Sequence, residues 1–286
     1  MSEPIVPVPD LVAFDVLLFN TSAGKDSSAA LAVVVAAAEA AGVRDRLVMV
    51  HADLGESEWP GTGELAASHA VRYGLPLEVV ARRHEDGQAE TILERVATGR
   101  DGQGGKWPDA ARRWCTSDHK RAPVRKLMTR LVTEARESGR VTGRPVRLLN
   151  IMGFRAEESA GRARRVPFEF DRSASNGRRE VWTWYPIHSW TLAQVWGQIE
   201  RAGLEVHSAY EAGMSRLSCR FCVLASRADL ICSARLNPEL AAAHAAVESD
   251  VGHRFRLDLS MAEVIAAAER GDGPESGGGD GPCCGA

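Results

Sequence analysis

The chain has 286 residues, of which 44% are hydrophobic and 26% are charged, and its formal net charge is −3. This composition excludes intrinsic disorder for most of the chain and fits one large α/β domain, or one domain with an appendage. Six cysteines are too few for a disulfide scaffold. The N-terminal segment lacks the basic start and apolar run of a signal peptide, and no window of about 18 apolar residues predicts a membrane span. We therefore predict a cytoplasmic protein with reduced thiols and no membrane partner.

Apolar runs and turns alternate through the first 82 residues. The predicted order is strand, helix, strand, helix, strand, over residues 16–20, 29–41, 47–53, 61–73 and 77–82. This alternation predicts a doubly wound parallel sheet, and such sheets bind ligands at the carboxyl ends of their strands.

The remaining two thirds of the chain contain mostly helical patterns. We predict helices at 85–98, 119–138, 191–202, 235–250 and 260–270, a buried strand at 146–154, and a long, polar, arginine-rich loop at 156–180. The predicted organisation is an α/β domain in residues 1–190, a mostly helical cysteine-containing region in residues 191–270, and a disordered glycine-rich tail in residues 271–286.

The small net charge conceals an uneven distribution. Between Arg95 and Glu180 there are 21 Lys and Arg against 10 Asp and Glu, whereas the remainder of the chain has 14 against 28. A solvated basic face is the usual explanation of such a section. The alternative is a polyanionic partner, either the phosphates of a nucleotide or a nucleic-acid backbone.

The segment Ser22 to Ser28 (SAGKDSS) directly follows the first predicted strand and opens the first predicted helix. Small residues let backbone N–H groups approach phosphate oxygens, a helix N-terminus favours an anion, and Lys25 adds positive charge. The spacing differs from that of a Walker A loop. The alternative is an ordinary strand-to-helix turn in which an Asp or Ser caps the helix.

Five segments, in order, resemble the PP-loop ATP pyrophosphatase superfamily, which includes adenylylsulfate reductases, phosphoadenylylsulfate reductases and thiolating enzymes. They are SAGKDSS (22–28), HADLGESEW (51–59), Trp114-Cys115-Thr116 with Lys120 and Pro123, GFRAEES (153–159) with Arg162, and Tyr185-Pro186-Ile187 with Trp190, Val195 and Trp196. Ala23 stands where the family loop has its first glycine. The resemblance implies a Rossmann-like sheet of the adenine nucleotide α-hydrolase type, with ATP and Mg²⁺ as cofactors.

The same resemblance implies roles for individual residues. The residues implied in ATP binding are Ser22, Ala23, Gly24, Lys25, Asp26, Ser27, Ser28, Asp53, Gly153, Arg155, Glu158 and Arg162. Those implied in catalysis are Lys25, Asp26, Lys120, Arg155 and Cys115. Fixed positive charge suits nucleotidyl transfer, whereas a surface salt bridge is the commoner role of Lys and Arg. Glu158 either pairs with an arginine, helps to hold Mg²⁺, or caps a helix.

The cysteines form a second group of candidates. Cys219 and Cys222 make a C-x-x-C, and Cys232 follows after nine intervening residues. Together with Cys115 they make four thiols, the number of ligands that the [4Fe–4S] cluster implied by the resemblance requires. A zinc site, a persulfide-accepting thiol activated by nearby arginines, and plain buried thiols remain alternatives. The tail ends in PCCGA, where phosphoadenylylsulfate reductases carry E-C-G-[IL]-H.

Within the superfamily, the sequence most resembles DNA phosphorothioation proteins of the DndC and SspD type. That resemblance implies that ATP is split to AMP and pyrophosphate to activate an oxygen of the nucleic-acid backbone. The expected partners are DNA, a cysteine desulfurase that supplies sulfur, and other modification-system proteins. The alternatives are an adenylylsulfate or phosphoadenylylsulfate reductase, a tRNA thiolase, and a non-catalytic module that binds ATP without releasing pyrophosphate.

Overall fold

The structure is a computed structural model that describes residues 6–99 and 104–272. The chain divides into two compact units, one formed by residues 1–90 and 114–207 and the other by residues 91–113 and 208–286. The expected division at residue 190 falls inside the first unit. Cys283, Cys284 and the predicted tail beyond residue 272 lie outside the described residues.

The first unit is built on a six-stranded sheet with the order β3-β2-β1-β4-β6-β5. The strands are β1 (Val16–Thr21), β2 (Leu47–Ala52), β3 (Leu77–Val80), β4 (Val146–Met152), β5 (Phe168–Phe170) and β6 (Arg179–Trp184). Neighbouring strands are parallel throughout, except that β5 runs antiparallel to β6. The predicted α/β class and doubly wound parallel sheet are confirmed.

Ten α-helices accompany the sheet among the described residues. In the first unit they are α1 (Lys25–Ala40), α2 (Thr62–Arg72), α4 (Trp114–Thr116), α5 (Ala122–Glu137), α6 (Ala160–Ala163) and α7 (Leu192–Ala202). In the second unit they are α3 (Ile92–Thr98), α8 (Arg227–Leu236), α9 (Pro238–Val251) and α10 (Met261–Glu269). None of the helices in the described ranges is long and apolar enough to cross a membrane.

Apolar side chains cover the sheet on both faces. Leu17 and Phe19 of β1 belong to the core that includes α1 and α7, whereas Leu18 belongs to the core that includes α5. Because β1 is central and buried on both faces, its sequence is a continuous apolar run, as expected for a parallel strand. Trp190 and Trp196 pack against the first of these cores.

Three sequence-based assignments are wrong. The helix expected from residue 85 begins at Ile92. The expected loop at 156–180 contains β5 and the start of β6, and β6 buries Arg179, Val181 and Thr183 on alternate positions. The helix expected from residue 235 begins at Arg227 and is interrupted at Asn237. Pro238 explains the interruption, since its ring disfavours a helical conformation of the preceding residue.

Candidate nucleotide site

Three segments of the first unit meet at one edge of the sheet. β2, β1 and β4 are adjacent and parallel, so residues 53–59, 22–28 and 153–162 all leave the sheet at its carboxyl edge. This is the edge at which doubly wound sheets bind ligands. The fold therefore brings together the three segments that carry most of the implied ATP-binding residues.

Loop 22–28 is held in a fixed shape by its own hydroxyl groups. Ser27 Oγ accepts a hydrogen bond from the Ser22 N–H at 3.3 Å and donates one to the Gly24 carbonyl at 2.9 Å. Helix α1 begins at Lys25 with Gly24 as its N-cap, and no side chain caps it. Because the N-cap is a glycine, its side chain cannot accept a hydrogen bond from the first turn of this 16-residue helix, and the N-terminus of a helix favours an anion.

Ala23 occupies the left-handed region with φ +52°, and it is the only non-glycine residue in the described ranges with a positive φ. Its N–H donates to Thr21 Oγ1 at 3.1 Å, and the residue is 1% exposed. A residue with a Cβ is strained in this left-handed conformation, whereas glycine adopts it freely. Ala23 is therefore strained at the position where the family loop has a glycine.

Substituting Ala23 by glycine tests that strain. We expect Ala23→Gly to raise the free energy of unfolding by about 0.5–1 kcal/mol, because relief of the left-handed strain exceeds the added chain entropy. The matched control is Ala36→Gly on the exposed face of α1, which should lower the free energy of unfolding by about 1 kcal/mol. The measurement is urea denaturation of both variants. Equal losses in the free energy of unfolding would contradict the strained conformation of Ala23.

Charged side chains connect the loop to the segment after β4. Lys25 Nζ lies 3.2 Å from Asp26 Oδ2, and the guanidinium of Arg155 pairs with the other oxygen of Asp26. Arg155 Nη1 also contacts Glu157 at 2.6 Å. The side chains of Lys25 and Arg155 are only 7% and 5% exposed. Both positively charged side chains are therefore buried. For Arg155, this burial excludes the alternative of a surface salt bridge.

The pKa of Arg155 is raised although burial, the largest single influence, lowers it. The attraction and hydrogen bond of Asp26, with contributions from Glu158 and Glu157, outweigh the burial. The guanidinium thus remains charged at every working pH. A buried, permanently positive group beside a helix N-terminus is suited to binding phosphate.

Gly153 provides the space in which the two segments touch. A Cβ at this position would lie 2.7 Å from the Asp26 carbonyl oxygen and 2.9 Å from Ser27 Cα. The backbone after β4 therefore lies directly against the first turn of α1. Only glycine permits this approach, which gives the implied binding role of Gly153 a steric basis.

The carboxylate of Glu158 has two partners, the Arg162 guanidinium and the Arg155 backbone N–H at 3.1 Å. The structure therefore shows Glu158 paired with an arginine, one of the roles considered for it from the sequence. Arg162 in turn lies over the ring of Phe154 at 4.1 Å, and Phe154 stacks on Tyr185 with centroids 5.4 Å apart. The segment after β6 thereby supports the segment after β4.

His51 and Glu58 at this edge were not among the site residues predicted from the sequence. His51, the fifth residue of β2, is 1% exposed, and its ring nitrogens contact the Thr21 carbonyl and the Glu58 carboxylate. Asp53, which was predicted, accepts a hydrogen bond from the Gly55 N–H at 2.8 Å. The signal for His51 was a histidine at the end of a buried strand, followed seven positions later by a glutamate.

Lys120 and Cys115 lie directly before helix α5 of the first unit. Cys115 belongs to the short helix α4, and Lys120 to a π-helical turn, Ser117–Arg121, that leads into α5. π-Helical turns frequently occur at functional sites. The catalytic roles implied for these two residues remain predictions.

The other three described cysteines belong to the second unit. Cys219 and Cys222 are half-buried, and the buried Cys232 thiol donates to the Ala212 carbonyl at 3.2 Å. Burial raises the pKa of Cys232 and outweighs the opposing effect of Arg235, so activation by arginine is not found at this thiol. No group of three or more His, Cys, Asp or Glu in residues 6–99 and 104–272 is placed to hold a metal ion. The four-cysteine cluster remains a prediction.

Several arginines of the basic section have structural partners. Arg144 pairs with Asp15 at 2.7 Å, and Arg147 with Glu180 at 3.3 Å. Arg179 is 7% exposed and donates to a backbone carbonyl. Other members of the section are exposed to solvent, among them Arg112, Arg113, Arg121, Arg164 and Arg172. Only part of the positive excess is therefore available to a polyanion.

Comparison with known proteins identifies the family. Residues 16–225 match the model of the phosphoadenosine phosphosulfate reductase domain. The chain belongs to this family. The match covers all six strands and the loop 22–28, in agreement with the resemblance of this sequence to the PP-loop superfamily. None of the curated proteins matches the sequence.

Three of the solved structures to which this chain is similar are as follows. A phosphoadenylyl-sulfate reductase from Candida auris, in a phosphate complex, is 17% identical over 73% of this chain and 83% of its own, with a TM-score of 0.46. The U34-tRNA thiolase NcsA from Methanococcus maripaludis, with its [4Fe–4S] cluster, is 13% identical over 93% and 75%, with a TM-score of 0.43. The FMN adenylyltransferase of Candida glabrata, bound to FMN and the ATP analogue AMPCPP, is 13% identical, with a TM-score of 0.43.

This chain spans about half the length of the adenylyltransferase, 55%. With TM-scores below 0.5 and such low identities, none of these likenesses assigns an activity to this reductase-family chain.

Proposed function

We propose that this chain is an ATP pyrophosphatase, in which loop 22–28 binds the phosphates of ATP. The observation that supports this most strongly is that the buried cations Lys25 and Arg155 lie at the N-terminus of α1. Preorganised N–H groups and fixed positive charge stabilise the charge that develops on a departing pyrophosphate. The family match, in which members act on adenylylated substrates, is consistent with this proposal.

The proposed reaction is a nucleotidyl transfer. An acceptor oxygen attacks the α-phosphorus of ATP, the bond from that phosphorus to the bridging oxygen of the β-phosphate breaks, and pyrophosphate leaves. In this proposal Lys25 and Arg155 hold the departing phosphates, and Asp26 holds both cations in place. The chain's own residues thus bind and orient the nucleotide, and Gly153 keeps their two segments together.

Mg²⁺ in such sites is bound chiefly by the phosphates of the nucleotide together with one or two carboxylates. Asp53 fits this need, since its carboxylate is half-buried at the carboxyl edge and uses one oxygen to accept the Gly55 N–H. Glu158 is less suited, because Arg162 and the Arg155 N–H already bind its carboxylate. When bound, Mg²⁺ neutralises phosphate charge.

For the acceptor, we propose the phosphate backbone of DNA, in a phosphorothioation reaction. A persulfide supplied by a partner cysteine desulfurase then attacks the adenylated backbone phosphorus through its outer sulfur, and AMP leaves with the oxygen. A thiol then reduces the resulting S–S bond, so that one sulfur stays on the phosphorus and the other leaves in a disulfide. The exposed arginines of the basic section support a nucleic-acid partner. A [4Fe–4S] cluster on Cys115, Cys219, Cys222 and Cys232 stays a prediction, because no three His, Cys, Asp or Glu residues of the described ranges are placed to hold a metal ion, and no step of the reaction is routed through it.

The second candidate is a phosphoadenylylsulfate or adenylylsulfate reductase. It is favoured by the family match over residues 16–225. The same loop and the same two cations would then hold phosphates of the adenylylated sulfate. The two functions differ in the fate of ATP, since a reductase of this kind releases sulfite and leaves ATP intact.

The test uses full-length protein purified without oxygen. It is incubated with ATP, Mg²⁺, duplex or single-stranded DNA, a cysteine desulfurase and ³⁵S-labelled cysteine, and nuclease digests of the DNA are analysed for phosphorothioate dinucleotides. We expect ³⁵S in DNA that depends on ATP. A parallel reaction offers phosphoadenylylsulfate and a thiol. Sulfite from that reaction, with no label in DNA, would favour the reductase. Iron and sulfide analysis of the same preparation tests the cluster.

A further inference from the structure

Loop 171–178 of the first unit packs beside helix α5. Ala174 of the loop belongs to the same core as Leu127 and Leu131 of the helix. Arg125 of α5 donates a hydrogen bond from Nη2 to Ser173 Oγ at 2.6 Å. The loop and the helix therefore form one continuous surface. We call it the α5–loop surface, and its members are Arg121, Arg125, Arg172, Ser173 and Arg178, with the adjoining buried Arg179.

Arg179 is a buried cation that forms no ion pair with a carboxylate in the described part of the chain. It is 7% exposed, its Nε donates to the Ala174 carbonyl at 2.8 Å, and its Nη1 donates to Thr129 Oγ1 at 2.9 Å. The Arg125 carbonyl, 3.4 Å from Nη1, is a further acceptor. All of these acceptors are uncharged. Since buried charges are usually paired with a charge of opposite sign, Arg179 leaves a net positive charge at this place.

Arg125 adds a second positive charge close to Arg179. The pKa of Arg179 is lowered, chiefly by burial and next by the charge of Arg125, whereas Asp171 opposes the shift. The Asp171 carboxylate is engaged in its own loop, where Oδ1 accepts hydrogen bonds from Ser173 Oγ at 2.7 Å and from the Ala174 N–H at 3.1 Å. The two guanidinium groups repel each other, and both would attract an anion bound at the surface.

Three exposed arginines extend the positive surface around Arg125. Arg121 lies about one helical turn before it, and Arg172 and Arg178 belong to the adjoining loop. Within residues 6–99 and 104–272, these three arginines and Arg125 form no ion pair with an acidic side chain. Their charge is therefore available to a polyanion.

We propose that the α5–loop surface binds the phosphate backbone of DNA. Arg125 and Ser173 contact one phosphate, and the three exposed arginines contact neighbouring phosphates. Arg and Ser are among the side chains that contact DNA phosphates, and a guanidinium matches the geometry of a phosphate with two parallel hydrogen bonds. The inference rests on the proposed function in taking DNA as the acceptor.

Arg179 is a positioning residue in this account. It holds the loop against the helix through the Ala174 carbonyl and the Thr129 hydroxyl, and these contacts place Ser173 beside Arg125. Its own charge adds to the positive potential at the surface without contacting DNA.

The surface begins at the turn that carries Lys120. Arg121 is the last residue of the π-helical turn Ser117–Arg121, which contains Lys120, and α5 follows directly. DNA bound along the surface would therefore pass beside a residue for which the resemblance implies a catalytic role. This continuity connects the docking surface with the proposed reaction.

The test measures the binding of full-length protein to a short, fluorescein-labelled DNA duplex by fluorescence anisotropy, between about 50 and 200 mM salt. The variants are Arg125→Gln and the double variant Arg172→Gln/Arg178→Gln. We expect the affinity to fall about tenfold for each lost phosphate contact. The plot of log affinity against log salt should become shallower by about 0.9 for each contact.

The matched control is Arg201→Gln. Arg201 is an exposed arginine of α7 that contacts Gln198 at 2.8 Å, and α7 packs on the other face of the sheet from α5. This variant loses the same charge from the protein as Arg125→Gln. It should keep the DNA affinity and the salt dependence of the wild type.

Two variants of Arg179 test its positioning role. Arg179→Lys keeps the buried charge, whereas Arg179→Met removes it, and we expect Arg179→Met to bind DNA about tenfold more weakly than Arg179→Lys. The salt dependence of both should match the wild type, because Arg179 itself contacts no phosphate. Equal DNA affinities for the two variants would overturn this role. Arg125→Gln and the double variant decide the docking surface even where Arg179→Met fails to fold.

An acidic protein is the alternative occupant of the surface, and labelled polyglutamate serves as its probe. DNA binding by Arg125→Gln and the double variant that equals that of Arg201→Gln would overturn the proposal. Loss of polyglutamate binding in these variants, with DNA binding unchanged, would overturn it in favour of an acidic protein.

The proposed function fails in a different way. If DNA binds with the expected dependence on the variants but ATP stays intact or no sulfur enters the DNA, the docking surface stands and the proposed reaction does not. If ATP is split but the wild type binds no DNA at the lowest salt, the docking surface is wrong and the pyrophosphatase activity stands.

Discussion

Gly153→Ala is expected to weaken ATP binding strongly and to slow ATP turnover. A Cβ at this position would lie 2.7 Å from the Asp26 carbonyl oxygen and 2.9 Å from the Asp26 carbonyl carbon and Ser27 Cα. These atoms are backbone of the first turn of α1, so a side-chain rotation cannot relieve the contact. The backbone must move, at a cost of about 1–3 kcal/mol for overpacking. Such a shift displaces loop 22–28 from Arg155 and should reduce ATP affinity by about 100-fold, as small misplacements at a site do.

The matched control is Gly177→Ala, because a Cβ there would meet no atom within 4 Å. Its free energy of unfolding and ATP affinity should equal those of the wild type. Calorimetric binding and chemical denaturation of both variants are the measurements. If Gly153→Ala binds ATP like Gly177→Ala, then the close approach of the β4 segment to α1 does not shape the site.

Arg155→Met should cost both stability and activity. Its side chain is 5% exposed and pairs with Asp26, which is itself 16% exposed. Removing one partner of a buried ion pair typically costs about 3–5 kcal/mol, and Lys25, which also pairs with Asp26, keeps the expected loss at the lower end of that range. Glu157, the second acidic partner of Arg155, is 51% exposed and contributes little to the pair. We therefore expect the free energy of unfolding to fall by about 3 kcal/mol. Loss of a fixed charge at the transferring phosphates should lower the turnover rate by about 100- to 1,000-fold.

Two control variants are compared with Arg155→Met. Arg147→Met removes an exposed pair, whose side chains are 49% and 40% exposed, and should change the free energy of unfolding by less than about 1 kcal/mol. Arg155→Lys keeps the charge but not the forked geometry that contacts both Asp26 and Glu157, so it should bind ATP more tightly than Arg155→Met. An unfolding free energy of Arg155→Met equal to that of Arg147→Met would contradict the buried ion-pair network.

The parts of the site that could be predicted are those encoded in contiguous residues. The segment SAGKDSS after an apolar strand predicted the position of loop 22–28 between β1 and α1. The sheet class followed from the alternation of apolar runs in residues 16–82. In each case the relevant contacts are local, or the pattern is repeated along the chain.

The parts that could not be predicted depend on strand adjacency. Asp26 and Arg155 are 129 residues apart, and they meet because β4 pairs beside β1, with Asn20 opposite Met152. His51 reaches the Thr21 carbonyl for the same reason, through the register of β1 and β2. The strands β5 and β6 were missed because charged residues interrupt their apolar pattern, and only packing on a preformed sheet identifies them.

The central claim is that loop 22–28 holds the polyphosphate of ATP for a reaction that releases pyrophosphate. Product analysis with α-³²P- and γ-³²P-labelled ATP, by protein purified without oxygen and in the presence or absence of DNA, tests it most directly. The account predicts labelled AMP from the first nucleotide and labelled pyrophosphate from the second, with both increased by DNA and both lost in Arg155→Met. ATP that remains intact in the wild type, or is converted to ADP and phosphate, would contradict it.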